Sequence, residues 1–69
     1  MNKVEVEFHS KAESGNVYFV LGKCLAELRK QHRIIDANIM RDRVYNTAKS
    51  YKGALAIMNE YVELKDLDN

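Results

Sequence analysis

Cysteine is almost missing from this sequence: Cys24 is the only one. A lone cysteine excludes an internal disulfide and fits a reducing compartment. His9 and His32 could bring the count of soft metal ligands to three, but no Cys-x-x-Cys or His-x-x-x-His spacing occurs, so no structural zinc site is expected. Proline is absent, and nothing marks a rigid linker. No apolar run approaches the length of a membrane span, and no charged-then-apolar segment opens the sequence in the manner of a secretory signal. Internal repeats and low-complexity stretches are lacking, as are a glycine-rich phosphate loop, a zinc motif and a nucleophile motif. These absences lead one to expect a cytoplasmic protein with no cofactor, no membrane contact and no enzymatic activity.

What is present describes a folded domain. The 69 residues are 46% hydrophobic and 30% charged, an ordinary globular balance. A net charge of +1 neither requires nor excludes a polyanionic partner. Residues 1–69 read as one domain, with a frayed tail over 66–69. A core this small rarely supplies more than roughly 3–5 kcal/mol, and disulfides and metals are not available to add to it. Self-association is the remedy left, so a homodimer is an open expectation.

Residues 3–8 alternate: Val4, Val6 and Phe8 on one face, Lys3, Glu5 and Glu7 on the other, the pattern of a half-buried strand. Gly15-Asn16 is a turn signal. The segment 17–21 is β-branched and aromatic, which favours a strand by propensity. Helical spacing over 17–32 overrides it, because Val17, Tyr18, Val20, Leu21, Cys24, Leu25 and Leu28 fall within an arc of roughly 160°. Asn16 is the expected N-cap, and His32 extends the stripe at the helix end. Phe19 and Gly22 lie off the stripe. Asp36 is the expected cap of a second helix over 37–48, whose stripe holds Ala37, Met40, Val44, Ala48 and, at its edge, Tyr45. Arg41 intrudes on that stripe and Ile39 falls outside it. Ser50 can cap a third helix over 51–61, with Tyr51, Ala54, Leu55, Ile57, Met58, Tyr61 and Val62 facing inward; it reads as scaffold. Val62 and Leu64 alternate with Glu63 and Lys65 as a short strand. The expected fold class is α+β: an N-terminal strand, three helices and a short C-terminal strand, a small helical bundle on a minimal sheet. The first strand needs a partner for its backbone groups, either the C-terminal segment or another copy of the chain.

Few residues invite chemistry. Glu5 and Glu7 read as a solvated strand face, Cys24 as a small core hydrophobe, and the histidines as local structure. Two surfaces are not explained by the core. One is the outer face of the first helix, where Phe19, Gly22, Lys23 and Lys30 suggest a partner surface. A large aromatic there either packs under a neighbouring element or meets a partner, and a glycine inside a helix suggests close approach. The other is a basic middle third. Arg29, Lys30, Arg33, Arg41, Arg43, Lys49 and Lys52 gather there with Tyr45 and Tyr51, a composition suited to a polyanion. The 49–50 junction is short enough for a helix-turn-helix but carries no glycine.

Three features form a further pattern: Gly15-Asn16 with an apolar run and Gly22-Lys23; residues 25–29 as Leu-Ala-Glu-Leu-Arg; and residues 56–63 as Ala-Ile-Met-Asn-Glu-Tyr-Val-Glu. Over about residues 15–64 the chain resembles a group of small uncharacterised proteins encoded by bacteriophages and prophages. Asn59, inserted between Met58 and the Glu60-Tyr61-Val62 run, departs from that pattern. The resemblance implies a phage origin, hence a host cytoplasm, and no enzymatic activity; it carries over no functional residues. Three functions then compete. The first is an accessory protein that binds a host or phage protein. The second is a nucleic-acid-binding module using the basic stretch 29–52, with affinity that falls steeply with salt. The third is a dimeric sponge for a nucleotide-like ligand.

Overall fold

The alternation over residues 3–8 becomes a strand, β1 (Glu5–Phe8), with Val6 and Phe8 buried and Glu5 and Glu7 exposed. Three helices follow, α1 (Val17–Lys30), α2 (Ile34–Thr47) and α3 (Tyr51–Met58), and a second strand, β2 (Glu63–Asp66), closes the order. These elements belong to a computed structural model, which describes residues 3–11 and 16–68. The α+β class and the element order are those expected. Gly15 of the Gly15-Asn16 turn signal lies outside the described residues.

β1 finds its partner within the chain. It pairs with β2 in parallel, in the register Glu5 to Glu63, Val6 to Leu64, Glu7 to Lys65 and Phe8 to Asp66. The need that pointed to a second copy of the chain is therefore met internally. Parallel neighbours cannot be joined by a hairpin, and here the crossover comprises all three helices. The register sets Glu5 opposite Glu63, a like-charge pair, and Lys65 relieves it with Nζ 3.7 Å from the Glu5 carboxylate.

Periodicity wins over β-propensity at residues 17–21, which are helical. The Asn16 side chain accepts from the Tyr18 N–H at 2.9 Å, as a cap should. The far end of α1 differs from expectation. His32 does not extend the stripe; it is exposed and adopts φ 61°, the left-handed region. Its N–H donates to the Arg29 carbonyl and the Arg33 N–H to the Leu28 carbonyl, the paired bonds of a Schellman stop. The chain reverses so tightly that α2 begins at Ile34, and Asp36 is not its cap. Arg33 occupies that position without a side-chain cap bond, and Asp36 sits in the first turn, accepting from Arg33 Nε at 2.9 Å. A carboxylate there still suits the positive end of the helix.

α3 is capped by Ser50, whose Oγ accepts from Gly53 N–H at 3.0 Å. The helix stops at Met58, three residues early, because Asn59 folds over the start of β2 and its side chain accepts from Leu64 N–H at 3.1 Å. Residues 66–69, expected to fray, are tied down as far as 68. Asp66 is in β2, Leu67 N–H donates to the Phe8 carbonyl, and the Asp66 and Asp68 carboxylates accept from the backbone of Ser10 and Lys11.

The core gathers Val6 and Phe8 of β1, Val20, Leu21, Cys24 and Leu28 of α1, Ala37, Met40 and Val44 of α2, Ala54 and Met58 of α3, and Val62. The Cα radius of gyration is 11.1 Å, close to the ~11 Å of a compact chain of this length.

Ser50→Ala should lower stability by about 1 kcal/mol through loss of the cap. His32→Gly should raise it by about 0.5–1 kcal/mol, since glycine adopts the left-handed conformation without the Cβ penalty. Urea unfolding midpoints measure both. An unchanged or lower midpoint for His32→Gly would contradict the Schellman stop.

Candidate functional site

The basic middle third does not assemble into one cationic face. Residues two apart on a helix point to opposite sides, so Arg41 and Arg43 of α2 cannot share a surface. The structure also engages several of these arginines internally. Arg33 donates to Asp36 and, at 3.2 Å, to the Tyr61 carbonyl. Arg43 makes a two-pronged pair with Glu60 at 2.8 and 3.0 Å, donates to the Tyr61 hydroxyl at 3.1 Å and lies over the Tyr61 ring at 5.8 Å from its centroid. Hydrogen bonding to Glu60 first, then to Tyr61, raises the Arg43 pKa, and the same contact with Arg43 holds the Glu60 carboxyl below its ordinary value. Arg41 lies 3.4 Å from its neighbour Asp42. Arg29, Lys49 and Lys52 remain exposed. The intrusion of Arg41 into the α2 stripe is real but partial, as the residue is half-buried.

The expected partner surface on α1 does lie outward. Phe19, Gly22, Lys23 and Lys30 are all exposed, and Phe19 packs under neither the strand nor α2: it remains 53% accessible. The close approach anticipated at Gly22 is not found. A Cβ built there meets nothing within 4 Å, so the glycine answers no packing need inside the fold. Lys23 reaches back to β1, where its Nζ donates to the Glu7 carbonyl.

A more organised surface lies where α1, α2 and α3 converge. Tyr18, placed in the core stripe by its spacing, is instead 63% exposed, and Tyr45 at the edge of the α2 stripe is 59% exposed. The two rings stack, with centroids 6.0 Å apart and planes 26° from parallel. With Tyr51 they wall a shallow groove of about 240 Å³ floored by Val17, Val44, Ala48 and Ala54. Each tyrosine stands at the margin of its own helix stripe. That position satisfies the apolar periodicity, yet the three margins meet each other rather than the core. Tyr51 thus brings α3 to this surface as well as to the core. Burial first, then the negative charge of Asp66, raises the Tyr51 pKa, so the phenol stays neutral and can donate at neutral pH.

Cys24 is fully buried, and burial pushes its thiol up to about 11, which leaves it protonated and unreactive. His9 contacts Asp68 at 2.9 Å. The Asp68 carboxyl is held low by hydrogen bonding with His9 first and the Lys11 backbone next, and that of Asp66 by hydrogen bonds from Ser10. Among the described residues, no group of three His, Cys, Asp or Glu side chains is placed to hold a metal ion. Among the described residues, no helix is long and apolar enough to cross a membrane. No protein-family model matches the chain, and no curated protein and no solved structure matches it.

Gly22→Ala should stabilise the fold by about 1 kcal/mol, read as a higher urea midpoint; a loss would reveal a contact at that position. Acid should destabilise the protein. Asp66, Asp68 and Glu60 have folded-state pKa values below their unfolded ones, so the unfolded chain takes up protons first as pH falls. Their contribution is complete above the ordinary carboxylate range and fades as pH drops through and below it. Urea midpoints at pH 7 and pH 3 should show this fall, and Asp68→Asn should flatten it.

Proposed function

We propose that this chain acts by binding another protein rather than by catalysis, and that the groove between Tyr18, Tyr45 and Tyr51 is its contact surface. The observation that carries the reading is the stacked, solvent-facing Tyr18–Tyr45 pair over an apolar floor. Tyrosine presents a large, stiff contact area at small entropic cost, which is why it is enriched at interface centres. A groove of about 240 Å³ suits one apolar anchor side chain of a partner. Lys49 and Lys52 are exposed on either side of Ser50-Tyr51 and favour acidic residues flanking that anchor.

The nucleic-acid reading is weakened by the internal engagement of Arg33, Arg41 and Arg43. The nucleotide-sponge reading keeps one support, since stacked tyrosines accept a flat ring, but it draws on the same occupied arginines for phosphate.

The experiment compares three baits in bacterial lysate: the wild-type chain, Tyr18→Ser with Tyr45→Ser, and Arg41→Ala with Arg43→Ala. A protein captured by the wild type should be retained by the arginine variant and reduced at least ten-fold by the tyrosine variant. The tyrosine variant should keep its fold, because both rings are exposed. Capture that survives loss of the tyrosines, or a salt-sensitive mobility shift of DNA or RNA abolished by the arginine changes, would overturn the proposal.

A further inference from the structure

The sheet has only two strands, and among the described residues nothing pairs with the outer edge of β1. In a parallel ladder, alternate residues direct both backbone groups to the same neighbour. The Val4 and Phe8 carbonyls accept from Glu63 and Leu67 on the β2 side. Glu5 and Glu7, between them, therefore turn their N–H and C=O groups to the outer edge. The Glu7 carbonyl bears this out, since it accepts from Lys23 Nζ and not from β2. Beyond that edge runs a groove of about 490 Å³, lined by Glu5, Val6 and Glu7 on one side and Lys23, Ala26 and Glu27 of α1 on the other. The short side chain of Ala26 leaves the wall low where a backbone would pass.

We propose that this edge accepts an extended segment of a partner protein as a third strand, and that the segment carries basic residues at alternate positions. Backbone pairing supplies the affinity in strand addition, and side chains on alternate positions supply the selectivity. The charges of the groove set the selectivity here. Glu5 and Glu7 are exposed on the strand's outward face and Glu27 stands on the α1 wall. Against them, Lys23 is drawn onto the Glu7 carbonyl and Lys65 onto Glu5. A second copy of β1 is the wrong occupant. It would bring Glu5 and Glu7 against their own copies, and like charges facing across a ladder are destabilising. Lys23 acts as a guard, a lysine over an open edge being a common way to deter indiscriminate pairing. An incoming N–H displaces its ammonium from the Glu7 carbonyl. This inference stands on a different surface from the tyrosine groove and does not depend on it.

The test is an amide-resolved NMR titration of the full chain with an acetylated, amidated heptapeptide of alternating lysine and valine. Two comparison peptides replace lysine by glutamate or carry N-methyl groups on the amides that would face β1. The lysine peptide should shift amides within 5–7 and 23–27 and slow hydrogen exchange at Glu5 and Glu7. The glutamate and N-methylated peptides should bind at least ten-fold more weakly. Glu5→Lys with Glu7→Lys should weaken the lysine peptide at least ten-fold and strengthen the glutamate one. Glu27→Lys, a surface change outside the ladder, should act in the same direction if the strand variant fails to fold. Tyr18→Ser with Tyr45→Ser should leave this binding unchanged. An N-methylated peptide that binds as tightly as its parent would overturn the proposal. So would shifts centred on the tyrosine groove, or sedimentation showing a dimer that protects the β1 amides.

Discussion

The constraint on which the rest of this structure depends is the buried stripe of α1. Val20, Leu21, Cys24 and Leu28 are all but inaccessible, and α1 is in contact with α2, α3 and β1 alike. Each fully buried side chain of this size contributes roughly 1.5–3 kcal/mol relative to exposure, which a chain of 69 residues cannot forgo. The other elements lie where they can share that stripe. The interior is accordingly plain. Among the described residues, no polar or charged residue is buried and no buried side-chain nitrogen or oxygen lacks a partner. The one reactive group inside, the Cys24 thiol, is held neutral by the same burial.

That surface divides into regions of different character. Near the 59–61 turns, Arg33 and Arg43 converge on Tyr61, one on its carbonyl and the other on its ring and hydroxyl. Exposed ion pairs add little stability singly, but here two arginines from the start and middle of α2 fix the segment leading into β2. Both guanidinium groups are thereby oriented toward the chain itself. Opposite in character is the junction of the three helices, where the Tyr18 and Tyr45 rings face water above a floor that includes the buried Val44 and Ala54. Ile35 and Ile39 add another apolar strip, one turn apart on the outward face of α2.

Much of the fold was legible in the sequence because it rests on periodicity. The alternation of Val4, Val6 and Phe8, the wide stripe from Val17 to Leu28 and the Ser50 cap each appear where spacing and chemistry put them. The boundaries that differ depend on local backbone events that periodicity does not encode. A left-handed histidine ends α1 where glycine or asparagine would have been the readable signal, and this moves the start of α2 ahead of Asp36. Asn59 ends α3 with a bond to a strand amide that follows it. The candidate site was the least legible part. Tyr18, Tyr45 and Tyr51 satisfy their helices' stripes individually, and only packing shows that the three margins meet in the open. The separation of Arg41 from Arg43, by contrast, was available from helix geometry alone. Counting bases along the chain obscured it.

The parallel pairing of β1 with β2 has a consequence for how the protein is made. All three helices lie between the two strands, so pairing them closes a long loop. The helices can begin to form from neighbouring residues, but among the described residues β1 has no strand partner until β2 has been synthesised. Closing such a loop costs entropy before any contact rewards it, and topologies of this kind fold more slowly than locally connected bundles. During translation the first strand therefore waits, its alternating valines and phenylalanine exposed, until β2 arrives. The charged residues interleaved with them, Lys3, Glu5 and Glu7, are of the kind that disfavour pairing of such a segment with its neighbours on other chains.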